Sequence, residues 1–309
     1  MQGSPIPRYY IRMPQPIPAP RESGFTTQTP SPLYWARYGP PAGSGAKQLV
    51  ALHGGPGAHH DYMLPQMLHL AERYDVLFYD QRGGGRSTTD DREPIGWQTH
   101  VGDLAALVRE FALDPLSIIG YSWGGLLAVL YALESARDNA IAAPSRLVLI
   151  DPAPLARRYR REFEAEFSKR QQSPDVQHIR TELAASNLRE TDPDAYRQRL
   201  FELGVAGYFA HPENAHDLTP FRVTGRVLDS VWNSLGDYDL IPQLGQIRCP
   251  TLVVHGRDDP IPLASSTEGA KAMNAKLVVL DDCGHVPYVE KPAQLFAAVD
   301  AFLSETDPK

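Results

Sequence analysis

The sequence predicts an α/β protein, with a mostly parallel central sheet flanked by helices and a helical insertion ahead of its last two strands. Three observations carry this expectation. Six short apolar and β-branched runs recur along the chain: KQLVALHG (47–54), YDVLFYD (74–80), LSIIGYS (116–122), RLVLIDP (146–152), PTLVVHG (250–256) and KLVVLDD (276–282). Runs that are apolar almost throughout suit strands buried on both faces, as in parallel sheets with crossover helices. The alternation stops between Asp151 and Cys249, where ARRYRREFEAEFSKR (156–170) and DAYRQRLFELGVAGYF (194–209) place apolar residues at helical spacing.

Taken in chain order, residues 1–22 are rich in proline and predict an extended arm. GFTTQ (24–28) and PLYWARYG (32–39) predict an antiparallel hairpin leading into the sheet. Residues 23–151 and 249–309 then form the core domain, and 152–248 form a helical cap, or lid, over it. Such a lid usually shapes a pocket and limits water entry.

The 309 residues suffice for one large α/β domain with an insertion. A net charge of −7 leaves no basic excess to neutralise phosphates, which argues against nucleic acid as a partner. Two cysteines, Cys249 and Cys283, are too few for a disulfide framework and lack metal-site spacing. The opening MQGSPIPRYYIR has no apolar run of signal-peptide length, and no stretch reads as a membrane span. The expected compartment is the reducing cytoplasm, and the expected partner is a small molecule or short peptide.

The chemistry sits at the ends of the predicted strands. Gly120-Tyr121-Ser122-Trp123-Gly124 follows LSIIG and opens the helical stretch GGLLAVLYALESA, the strand–turn–helix setting of a nucleophile elbow. Small residues flank Ser122 because the turn is tight. A serine hydroxyl is a poor nucleophile until a base takes its proton. His285, in DCGH (282–285) after the last strand, is the candidate base. The base needs a carboxylate to hold its tautomer, and HGRDDP (255–260) offers Asp258 and Asp259. HGGPG (53–57) follows the strand KQLVAL, and a loop free of bulky side chains lets backbone N–H groups approach a developing oxyanion. We assign that role to the N–H groups of Gly55 and Trp123. His59 and His60 lack ligand spacing and read as a loop or helix start, so no metal and no cofactor is expected. Cys283 reads as packing.

HGGPG at 53–57, DQRGGGRS at 80–87 and GYSWGG at 120–125 together resemble the proline iminopeptidase (prolyl aminopeptidase) group of the α/β hydrolases. The resemblance runs from about residue 24 onward and excludes most of the cap. It implies the α/β-hydrolase fold, whose triad order is serine, acid, histidine, here Ser122, Asp259, His285. It favours Asp259 over Asp258, because related enzymes place the acid three residues past the glycine. It implies that Asp80, Gln81, Arg82 and Gly83 support the active site from beneath. Family members bind the free α-amino group of a peptide through carboxylates in the cap, and Phe201-Glu202 is similar to the aromatic-Glu element that supplies one, so Glu202 is the implied substrate ligand. LTPFRVTGRVLDSVW (218–232) carries arginines where a second family glutamate is sought. With 12 Lys+Arg against 14 Asp+Glu between residues 152 and 245, cap charge itself selects no cationic substrate.

The expected activity is therefore removal of an N-terminal residue, preferably proline, from short peptides through an acyl-enzyme. Hydrolysis of a small ester or lactone by the same machinery is the alternative. A non-catalytic binding protein fits less well, since all the reacting residues are present. Epoxide hydrolases and dehalogenases use aspartate at the elbow, where this chain has Ser122.

Overall fold

The six apolar runs all become strands of one sheet. The computed structural model describes residues 17–41, 43–90 and 94–305, so most of the arm expected over 1–22 lies outside the described residues. Among the described residues eight strands pair in the order β1-β2-β4-β3-β5-β6-β7-β8. They are β1 (Glu22–Phe25), β2 (Tyr34–Tyr38), β3 (Gln48–Leu52), β4 (Asp75–Tyr79), β5 (Ser117–Tyr121), β6 (Arg146–Ile150), β7 (Thr251–Gly256) and β8 (Lys276–Leu280). β1, β2 and β4 pair antiparallel, and every later pairing is parallel. The expected hairpin forms, with its first strand starting at Glu22 rather than Gly24.

Side chains alternate across each strand and fill two cores. Val50, Leu52, Leu77, Ile118 and Leu149 face one core, while Leu49, Ala51, Val76, Phe78, Ile119 and Val148 face the other. Helices α1 (Trp97–Glu110) and α2 (Trp123–Ser135) close the first core. Burial of both faces explains why these strands read as continuous apolar runs, each buried leucine or valine adding about 1.5–3 kcal/mol.

Between β6 and β7 come α3 (Arg157–Arg170), α4 (Pro174–Ala185), α5 (Leu188–Thr191), α6 (Pro193–Val205) and α7 (Gly225–Leu235). Local sequence sets where they start. α4 and α6 each carry proline in the first turn, and the side chains of Ser173 and Asp192 cap the amides of Val176 and Ala195. The end of this insertion is continuous with the sheet's own packing, because Val227, Val231, Tyr238, Leu240 and Leu244 join the first core. The chain finishes with α8 (Leu263–Met273), α9 (Pro287–Glu290) and α10 (Pro292–Ser304), the last of which closes the second core through Leu295, Val299 and Phe302.

Candidate active site

Ser122 stands between β5 and α2 with φ 54° and ψ −118°, a backbone conformation that costs a serine of order 1–3 kcal/mol. Neighbouring bonds hold it there. The Ser122 N–H donates to Ile150 O at 2.9 Å, and its carbonyl accepts from Gly125 at 2.9 Å. The flanking glycines are obligatory: a Cβ on Gly120 would lie 2.3 Å from Gly124 O, and one on Gly124 would lie 2.2 Å from Leu52 O.

The strand ends bring the sequence-predicted residues together. His285 Nε2 lies 2.9 Å from Ser122 Oγ, and His285 Nδ1 lies 2.8 Å from Asp259 Oδ2. The second oxygen of Asp259 accepts from the Ile261 amide at 2.7 Å. Asp258 is exposed, and only its backbone reaches this region, through an N–H bond to Cys283 O at 2.8 Å. Burial pushes the Asp259 carboxyl up and the His285 imidazole down, so both desolvation effects favour uncharged groups.

The other side of Ser122 faces the HGGPG loop. Gly55 and Trp123 both line the same cavity, and Trp123 opens α2, where a backbone N–H has no acceptor within the helix. Gly54 passes so close that a Cβ there would meet Ser122 Cβ at 2.8 Å. Gln81 joins the two halves of this donor pair, donating to His53 O at 2.8 Å and accepting from the Trp123 indole at 2.8 Å. Burial lowers His53 to about 4, so the ring is neutral and its Nε2 accepts from the Gln81 amide at 3.0 Å. Gln81 is the residue of the DQRG motif whose contact with the donor pair the sequence alone did not reveal. Asp80, next to it, accepts from His60 Nδ1 at 2.6 Å and from Arg86 Nε at 2.9 Å. Burial would raise Asp80, but the bonds from His60 and Arg86 hold it well below the usual carboxylate range. His60 thus anchors a short 3₁₀ turn (His60–Met63).

The cavity above Ser122 measures about 290 Å³. Phe163, Tyr208, Phe221, Val223 and Trp232 from the insertion wall it, and Arg160 and Asp229 are the charged groups on its lining apart from the relay. Two contacts absent from the sequence reading tie the insertion to the histidine loop. His285 N–H donates to Tyr208 O at 2.7 Å, and Glu290 accepts from Gly284 at 2.7 Å and from Ala210 at 3.1 Å.

Glu202, the implied ligand of a substrate amine, is not on the cavity wall. It is buried, with one carboxylate oxygen accepting from Gln198 at 3.0 Å and the other paired with Arg199 on the same helix. The sequence pattern of α6 set the helix but not the side chain's partners. The Cys283 thiol is buried and pushed up by desolvation, and it does not line the cavity.

One group of described residues, Asp151, His255 and Asp259, brings three potential metal-ligand atoms within 4.8 Å of one another. The donor set does not suit an ion. His255 Nε2 donates to Ile261 O at 3.1 Å and its Nδ1 accepts from Ser266 Oγ at 2.9 Å, so the ring offers no free lone pair.

A sheet of this order, with serine, acid and histidine at the ends of β5, β7 and β8, defines a hydrolase of the α/β class. The chain belongs to the alpha/beta hydrolase family, whose model matches residues 49–299. Within that family it resembles the proline iminopeptidases. The proline iminopeptidase of Lactobacillus crispatus (strain ST1) is 27% identical over 280 residues, covering 84% of this chain and 90% of the relative. Among solved structures, the proline iminopeptidase of Mycobacterium smegmatis superposes with a TM-score of 0.65 at 22% identity, covering 91% of this chain and 97% of that one. The enol-lactonase of Burkholderia xenovorans LB400 does so at 0.63 and 21% identity, over 91% and 100% of the two chains. Likenesses this distant establish the fold. No helix among the described residues is long and apolar enough to cross a membrane.

Proposed function

We propose that the chain is a serine hydrolase working through an acyl-enzyme, with Ser122 as nucleophile, His285 as general base and Asp259 as the acid that orients it. The single observation carrying this is the unbroken run of bonds from Asp259 through His285 to Ser122, 2.8 and 2.9 Å long, at the floor of a cavity. His285 takes the Ser122 proton as Oγ attacks the substrate carbonyl, and the N–H groups of Gly55 and Trp123 receive the oxyanion. The proton then passes to the leaving group, and water repeats the sequence to free the acid and restore Ser122. The helices between β6 and β7 act as the cap, expelling water from the acyl pocket.

We further propose release of N-terminal residues, preferably proline, from short peptides. The HGGPG and DQRG motifs and the proline iminopeptidase relatives support this reading. A substrate α-ammonium needs a carboxylate, and Asp229 is the carboxylate on the cap side of the cavity. A second reading, hydrolysis of a small ester or lactone, is favoured by the withdrawal of Glu202 into bonds with Gln198 and Arg199. Comparing proline naphthylamide, its N-acetylated form and a short-chain nitrophenyl ester separates the two. Cleavage of the free amide but not the acetylated one is expected; cleavage of the ester alone would select the second reading.

A further inference from the structure

Asp151 takes no part in the steps above, yet it stands against the site's acid. It directly follows β6 with φ +40°, and its amide extends the ladder to β7 by donating to Val254 O at 2.8 Å. Its side chain is fully buried. One oxygen accepts from the Gly256 amide at 2.8 Å, while the other, Oδ2, has no donor among the described residues. An oxygen of Asp151 and one of Asp259 lie within 4.8 Å of each other.

We infer that Asp151 is a positioning residue that enters the site as a neutral carboxylic acid and turns its O–H toward Asp259, so that the two carboxyls share one proton and Asp259 is the one left charged. The inference rests on the serine-hydrolase reading of the site.

Two buried carboxyls side by side cannot both ionise without a cation between them. Among the described residues none lies between them: neither carboxyl is bonded to an arginine or lysine, Arg170 and Glu290 act on Asp259 only through space and in opposite senses, and His255 approaches the two carboxyls no closer than 3.6 and 3.9 Å. Its two nitrogens are already engaged with Ser266 and Ile261, and burial lowers it to about 4, so it is neutral. The remaining groups facing Asp151 are His285, Cys283, Tyr121 and Tyr288. Desolvation lowers the first and raises the other three, so all are uncharged at neutral pH.

The proton settles on the carboxyl with fewer donors. Asp259 accepts N–H bonds on both oxygens, from Ile261 and His285, whereas Asp151 accepts one and has an oxygen free to carry hydrogen. Burial raises Asp151 well above the ordinary carboxylate value, in the same direction. This answers a problem in the site itself. Desolvation alone would protonate Asp259 and reverse the tautomer of His285, and a donated O–H from Asp151 opposes that.

Asp151→Asn keeps both functions of the neutral acid, since its carbonyl still accepts from Gly256 and its N–H₂ still donates. We expect it to rescue kcat/KM to within about threefold with an unmoved acid limb, whereas Asp151→Leu should lose roughly tenfold and shift the acid limb up by about one unit. If Asp151→Asn moves the profile as far as Asp151→Leu, Asp151 is an ionised charge partner and the inference falls. It falls equally if both variants lower Tm and leave the profile in place. A second measurement does not depend on turnover or on the leucine variant folding. Infrared difference spectra of wild type against Asp151→Asn at neutral pH should show loss of a carboxylic acid C=O band; loss of a carboxylate band instead overturns the proposal. Absence of fluorophosphonate labelling in wild type would defeat the serine-hydrolase reading, an outcome separate from either spectral result.

Discussion

The ends of the sheet and the insertion that roofs them are built on different principles. Ser122, Asp259, His285 and Gly55 follow strands whose backbones are fixed by parallel pairing, so each side chain is delivered from a rigid support. The roof delivers rings and a few charges from helices whose amphipathic pattern serves their own packing first. On the proposed function, chemistry that tolerates little displacement lies on the first region, and substrate choice, which tolerates more, on the second.

The sharpest way to break this division is at the floor. Ser122→Ala should abolish fluorophosphonate labelling and lower turnover by up to roughly 10⁶, as triad members act as a unit. Labelling that persists would remove Ser122 from its role. Cys283→Ala should leave labelling in place. Asp259→Asn should lower turnover by about 10⁴ through the wrong histidine tautomer, the figure from the serine-protease template. Asp258→Asn, at an exposed side chain that makes no bond to His285, should cost little. The reverse ranking would transfer the acid role.

On the roof the effects should be smaller and should depend on the substrate. Asp229→Asn should raise KM for proline naphthylamide by about 10- to 100-fold, the loss of a charge-assisted bond of about 1.5–3 kcal/mol, and leave a nitrophenyl ester unaffected. Glu202→Gln should leave both KM values near wild type and lower Tm, because Glu202 pairs within α6. If Glu202→Gln instead raises KM for the amide alone, α6 turns toward the cavity when substrate binds.

The gentlest expected effect is on stability in acid. Burial lowers His53 and His255 to about 4 and His100 to about 3. Unfolded, these rings take protons near pH 6.5, while folded they stay neutral, so the unfolded state binds more protons between those values. Stability is full above about pH 6.5 and is lost as pH falls toward 4. A Tm that stays flat from pH 7 to pH 4 would contradict the neutral burial of these histidines.

What the sequence disclosed follows the same division. The strands were legible because burial on both faces leaves a local mark, and the elbow because Gly120 and Gly124 are demanded by contacts under 2.5 Å. His285 and the pair Asp258 and Asp259 could be read from their places after KLVVL and PTLVV, while the preference for Asp259 came from the family resemblance. Glu202 was implied by the resemblance of Phe201-Glu202 to the family's aromatic-Glu element, and neither that likeness nor helical spacing discloses that the glutamate bonds Arg199. Asp151 gave no signal, since an aspartate following RLVLI gains meaning only when β6 and β7 lie side by side. The Tyr208 carbonyl could not have been found at all, as a backbone acceptor leaves no trace in residue identity.

That carbonyl has a consequence for exchanging roofs between relatives. Residues 208–210 are stitched to the histidine loop through His285 and Glu290, and Val227 through Leu244 belong to the sheet's own core. A chimaera that swaps the whole insertion therefore replaces part of the floor's support along with the walls. The transplantable unit is the shorter stretch from α4 through α6, whose helices are capped by their own Ser173 and Asp192 and carry their start signals with them.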